Sequence, residues 1–340
     1  MYLLEELAKK YKRISIVGMA KNAGKTTALN YLIDEAMDEG LTLGITSTGR
    51  DGEGTDVVTG TDKPRVFLET DTIVSVPVQL YELADAGLEI LRMTEYGSSL
   101  GQIMICRVAS SGYVQIAGPV INAQHEKMCE EMLSLGAELV LIDGAIDRKS
   151  IAAPGTSDAI ILSTGAVLSR KMNKVVEDTV HTVSLYRLPE LEAGEDKDLI
   201  VKHASDDRTF MIRDGEVVYP DIVTSLGAGS VLDTAIDENV SVVYVPGAFT
   251  KSVVEDIATK KLRNVTFVLK DPTKIFIGAT LWGKLLKKGL KVKVLENIEV
   301  AAVTVNPTAP GGYAFDHKEL REAMQHAMPD IPVIDVMVQD

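Results

Sequence analysis

The chain has 340 residues, 46% of them hydrophobic and 25% charged, the balance of a globular protein long enough to hold two cores. Asp and Glu number 49 against 35 Lys and Arg, and the formal net charge of −14 would repel a polyanion, so nucleic acid is not an expected partner. Two cysteines, five histidines without metal-ligand spacing, and the lack of any apolar run of about 18 residues argue against a disulfide scaffold, a zinc site and a membrane span.

The N-terminus has no basic start followed by a long apolar core, so no signal peptide is expected and the expected location is the cytoplasm. Residues 2–11 place Leu3, Leu4 and Leu7 on one helical face. An apolar strand over 13–18 then runs into a loop of small residues, and Gly24-Lys25-Thr26-Thr27 opens a helix over 25–39. Ala28, Leu29, Leu32, Ile33 and Ala36 recur at helical spacing, and Gly40 ends the helix.

Phosphate binding requires this order. Backbone amides of the loop and the helix N-terminus converge on an anion, and only small residues let the chain approach it closely. The candidates are Gly18, Lys21, Asn22, Ala23, Gly24, Lys25, Thr26 and Thr27, with Lys25 reaching the β- and γ-phosphates and the Thr26 hydroxyl binding Mg²⁺. Five residues separate Gly18 from Gly24 instead of four, and Met19 stands where the first glycine is expected. The alternative is a strand-to-helix turn that holds no ligand.

A second strand, 42–47, completes a βαβ unit and predicts a doubly wound, mostly parallel sheet. The polar, Gly-rich segment 46–56 leaves its end and carries Arg50, Asp51 and Glu53, which line the phosphates or simply form a turn in which Asp51 caps its own backbone. Between 57 and 120 short apolar runs alternate with a helical run near 78–86, and 102–108 and 113–117 flank Ser110-Ser111-Gly112 as a hairpin. Gly118-Pro119 is expected at a strand end facing the cleft. After a helix at 123–135, the apolar strand 137–142 ends in Asp143-Gly144. A buried strand with a terminal carboxylate is the pattern that holds Mg²⁺ or its water beside a nucleotide, which makes Asp143 the candidate. Asp147 and Arg148 contact substrate or γ-phosphate, or form a surface pair. Cys106 and Cys129 read as small apolar fillers.

A strand at 158–163 and a helix at 167–186 lead to an acidic, aperiodic stretch, 189–198, read as the boundary between a nucleotide-binding domain (1–190) and a smaller α/β domain (199–340). The second half is expected to hold strands at 199–203, 208–212 and 216–219, followed by alternating strands and helices from 240 to 338. Its Gly227-Ala228-Gly229 reads as a plain loop or helix start in preference to a second phosphate site. The loop 306–315 faces the nucleotide domain, binds a partner or is a rigid turn, and Asp316-x-x-Glu319 caps the last helix.

Three stretches together, Gly18–Thr27, Ile45–Glu53 and Leu139–Ser150, resemble the P-loop group that includes dethiobiotin synthetase, cobyric-acid-type amidases and MobB-like GTP binders. That resemblance implies a P-loop fold over the first half, ATP and Mg²⁺ as ligands, and a catalytic set of Lys25, Asp143 and Asp51, with metal held by Thr26, Asp51 and Asp143. A narrower resemblance rests on Asp85–Leu91, Tyr113–Pro119, Asp143–Ser150 and Asn306-Pro307…Gly312-Tyr313. These phrases are similar to the small reactivase subunits associated with adenosylcobalamin-dependent lysine 5,6-aminomutase and ornithine aminomutase. The implied role is ATP-driven exchange of damaged cobalamin on an aminomutase, with a second, larger ATPase subunit as partner. A ligase or kinase activating a small carboxylate, and a nucleotide-sensing regulator, are the competing functions. The absence of an Asn/Thr-Lys-x-Asp guanine reader favours ATP over GTP.

Overall fold

The computed structural model describes residues 3–48, 65–98, 100–119, 121–144, 157–222 and 227–338. It separates into two compact units, one formed by Met1–Val176 together with Val300–Asp340, the other by Glu177–Glu299.

In the first unit the chain runs α1 (Leu3–Lys10), β1 (Arg13–Gly18), α2 (Lys25–Glu39), β2 (Leu43–Ser47), β3 (Val66–Leu68), β4 (Ile73–Pro77), α3 (Val78–Tyr81), β5 (Gly87–Ser98), β6 (Gly101–Ser110), β7 (Gly112–Val114), α4 (Asn122–Ser134), β8 (Leu139–Asp143) and β9 (Ala159–Gly165). Helix α5 (Met172–Tyr186) carries the chain into the second unit. That unit contains α6 (Glu195–His203), β10 (Phe210–Arg213), β11 (Glu216–Val218), α7 (Ala228–Ala235), β12 (Val240–Val245), α8 (Lys251–Val254), α9 (Thr259–Asn264), β13 (Thr266–Leu269), α10 (Ala279–Lys288) and β14 (Lys291–Val294). The chain then returns to the first unit as β15 (Val300–Asn306), α11 (His317–Ala327) and β16 (Val333–Asp335).

The first unit is built on a nine-stranded sheet ordered β16-β15-β9-β1-β8-β2-β4-β6-β5. The strands from β16 to β4 are parallel, and β6 is antiparallel to both β4 and β5. Both faces are covered, and β8 shows why its sequence is apolar without alternation. Leu139 and Leu141 point into a core shared with α1 and α2. Val140 and Ile142 point the other way, against Met128, Cys129 and Met132 of α4. A parallel strand buried on two sides must read this way. The second unit holds a separate five-stranded sheet, β11-β10-β12-β13-β14, in which β12, β13 and β14 are parallel and β10 is antiparallel to its neighbours.

The α/β class and the βαβ start are as expected, but the C-terminal assignment is not. Residues 300–340 belong with the first sheet, where β15 pairs in parallel with β9 from Val300↔Ile160 to Asn306↔Gly165. The stretch 189–198 is not a uniform linker. Glu195, Asp196 and Asp198 occupy the first turn of α6, where acidic side chains favour the helix dipole, and the apolar 199–203 continues that helix in place of the expected strand. The hairpin partner of 102–108 is β5, and the helical run at 78–86 is a single turn ending at Tyr81.

Candidate functional site

Sheet register brings the carboxyl ends of five parallel strands into one row. Ile16 of β1 stands beside Asp143 of β8, Asp143 beside Ser47 of β2, Gly18 beside Ser163 of β9, and Gly165 beside Asn306 of β15. In open α/β sheets this edge is where ligands collect.

The phosphate-loop candidates sit on the edge as a tight turn. The Met19 amide donates to the Ser163 carbonyl at 2.9 Å, and the Ala23 amide to the Ala20 carbonyl at 3.2 Å. Asn22 (φ 64) and Gly24 (φ 98) are both left-handed, which turns the chain back to start α2. Gly24 is needed twice over: its φ suits few L residues, and a Cβ there would lie 2.9 Å from the Cβ of Asn306. Gly24, the N-cap of α2, offers no side chain to cap the amides of the first turn. Lys21 and Asn22 are exposed, Ala23 is buried, and Thr26 and Thr27 are half-buried.

Lys25 and Asp143 come together. The Lys25 ammonium donates to Asp143 Oδ1 at 2.5 Å and also to the Gly144 carbonyl. Their side chains are only 15% and 29% exposed, so the pair is shielded enough to matter. The backbone beneath Asp143 is clamped on both sides. Its carbonyl accepts from the Thr48 amide at 3.0 Å and from the hydroxyls of Ser47 and Thr48 at 3.2 and 3.3 Å. The Gly144 amide donates to the Ile16 carbonyl at 3.1 Å. Asp51, Glu53, Arg50, Asp147 and Arg148 lie outside the described residues.

Asn306 was not among the candidates, although the loop it begins was singled out. It packs against Gly24 and Gly165, and its side-chain oxygen accepts from the Thr308 amide at 3.0 Å. Tyr313 donates its hydroxyl to the Ala166 carbonyl, and the Arg170 guanidinium lies 5.3 Å from the Tyr313 ring centre. The loop therefore folds over the end of β9. The mostly apolar run Val300–Val305 signals a strand inside a covered sheet, though not which sheet.

The other reactive groups of this unit are structural. Burial pushes the Cys106 thiol up to about 11 and the Cys129 thiol up to about 12, so neither is a ready nucleophile. Burial pushes His125, whose Nδ1 lies 3.7 Å from Cys129 Sγ, down to about 4 and keeps it neutral. Among the described residues no group of three or more His, Cys, Asp or Glu side chains is arranged to hold a metal. A Mg²⁺ site needs fewer, since that ion keeps several waters and takes hard oxygen donors such as a threonine hydroxyl and one carboxylate. Compared with known proteins, the chain matches no family model, no curated protein and no solved structure, so its site is read from its own geometry.

Proposed function

We propose that the first unit binds ATP and hydrolyses it with Mg²⁺. One observation carries this reading: a lysine in the first turn of α2 is joined to a carboxylate at the end of the neighbouring strand β8. Separated by 118 residues, they meet at the N-terminal end of α2, whose cap Gly24 carries no side chain. Lys25 would hold the β- and γ-phosphates, and the α2 amides would hold the oxygens around them. Thr26 and Asp143, with Asp51 as the further expected ligand, would hold Mg²⁺, whose charge offsets that developing on the phosphates. With the metal donors toward β8 and β2, the nucleoside would extend toward β9 and β15, where Gly165 and Asn306 stand.

The similarity of four phrases to aminomutase reactivase subunits gives this activity its proposed setting, ATP-driven exchange of damaged cobalamin with a larger ATPase subunit as co-worker. The test is calorimetric titration of the pure protein with ATP and Mg²⁺, followed by phosphate release alone, with small carboxylates and with a cobalamin-dependent aminomutase. Saturable binding and turnover that only the mutase accelerates support the proposal. Turnover accelerated by a small carboxylate would replace it with a ligase or kinase, and failure to bind ATP would end it.

A further inference from the structure

A cavity of about 470 Å³ opens in the second unit at the carboxyl end of β12. That volume lies within the span of small-molecule sites, about 300–1,000 Å³. Because β10 runs antiparallel to β12, the residues that lead into β10 stand beside the end of β12, where Phe210 pairs with Tyr244. The cavity thus has two chemically different ends. Half-buried Ile222 and the core residues Leu232, Val245 and Val253 form its floor, and Asp207 and Arg208 give it a charged rim. The Pro246-Gly247-Ala248 loop forms a further wall, and a Cβ built on Gly247 would meet nothing within 4 Å.

The rim is built in a particular way. Among the described residues neither Asp207 nor Arg208 forms a close ion pair, although the Arg208 charge reaches the Asp206 carboxylate. The Arg208 guanidinium lies over the Tyr219 ring, 4.9 Å from its centre. That ring is itself fixed: its hydroxyl donates to Asp206 and lies 3.0 Å from His203 Nδ1, and the ring is tilted against Phe210 with centroids 5.8 Å apart. Asp206 is committed to Tyr219 and to His203, 3.5 Å away. An exposed arginine normally keeps its rotamer freedom, and an aromatic shelf that orders it is of use when the cation must meet something in a fixed place.

We propose that this cavity binds a zwitterion with an aliphatic body, an α-amino acid, its carboxylate on Arg208, its ammonium on Asp207 and its side chain over the apolar residues. A simple anion would meet the Asp207 carboxylate and a simple amine would meet Arg208, whereas a zwitterion pairs with both. The site lies wholly within the second unit and does not depend on the nucleotide reading.

The experiment is calorimetric titration of the full chain with each standard L-α-amino acid and L-norleucine, up to about 10 mM. At least one amino acid with an apolar side chain is expected to bind saturably, shifting the amide resonances of Gly247, Ala248 and Val253. Its decarboxylated amine and its deaminated acid should each bind about tenfold or more weakly, as should the amino acid to Arg208→Gln and Asp207→Asn proteins. Both side chains are exposed, so equal thermal midpoints for the variants and the parent will show that folding is unaffected. Failure of every amino acid to saturate overturns the proposal. Equal affinity for the deaminated acid, or resonance shifts elsewhere than this cavity, overturns it as well.

Discussion

The ammonium of Lys25 and the carboxylate of Asp143 share a hydrogen bond of 2.5 Å across 118 residues of sequence. The pair couples the start of α2 to the end of β8, and each member has a separable task under the nucleotide reading. Lys25→Ala removes the cation that meets the phosphates, so ATP affinity should fall about 100-fold or more while circular dichroism stays that of a folded protein. Unchanged affinity in a titration would remove Lys25 from the site.

Asp143→Asn preserves the shape of the side chain and the backbone clamp from Ser47 and Thr48. What it loses is the charge that pairs with Lys25 and would hold Mg²⁺. Turnover is therefore expected to drop about 100-fold, with nucleotide affinity changed far less. Parent and variant proteins with equal Mg²⁺-dependent kcat would exclude a metal role for this carboxylate.

Gly24→Ala tests the turn without removing any functional group. The added methyl group must accept φ 98 and lie 2.9 Å from Asn306 Cβ, so a loss of about 1–3 kcal/mol in urea unfolding is expected. In an Asn306→Gly background, which lacks that Cβ, Gly24→Ala should cost less than it does in the parent, leaving only the backbone part. If Gly24→Ala unfolds at the parent's urea midpoint, the turn differs from that described.

Glu35 supplies a pH signature. It is buried; Oε1 accepts from the Leu4 amide at 3.0 Å, and Oε2 has no partner among the described residues. Burial raises its pKa, and the amides of Leu4 and Leu3 only partly oppose the rise. The folded state therefore keeps this proton to higher pH than the unfolded chain, and stability declines as pH climbs from the ordinary value of about 4.3 through the folded value. Glu35→Gln keeps an acceptor for Leu4 and abolishes the titration. Its stability should match the parent in acid and exceed it at neutral pH. A constant difference across the range would contradict this.

Asp158 has the opposite sign. Its burial raises the pKa, but the Arg13 guanidinium and the amides of Lys12 and Arg13, at 2.8 and 2.9 Å, outweigh burial and hold the carboxyl below its usual range. The stabilisation is present in full above about pH 3.9 and is lost as pH falls through the folded value. Asp158→Ala should cost about 1–3 kcal/mol at neutral pH, and the gap should close in acid when unfolding is followed by denaturant at each pH.

The sequence made β1, the loop, α2 and the end of β8 legible because each announces itself locally. Two-sided burial makes β8 uniformly apolar, and the stop at Asp143-Gly144 marks the edge. It hid the destination of β15, since Val300–Val305 reads as a buried strand in whichever sheet it joins, and its partner β9 lies some 140 residues earlier. The acidic residues from Glu195 looked like solvated linker because charge alone does not separate a linker from a helix start. Leu199-Ile200-Val201 looked like a strand because its β-branched pair outweighed the helical context; only Ile200 is buried there, and Val201 is 61% exposed.

Because residues 177–299 interrupt the nine-stranded sheet, translation completes the inserted unit before that sheet can receive β15 and β16. β9 cannot gain its β15 neighbour until residues 300–306 have been made, so the unit that begins first is completed second. A stop codon after residue 190 would thus yield a fragment lacking Asn306 and two strands of the nine-stranded sheet, β15 and β16, with β9 left open to pair with its own copies.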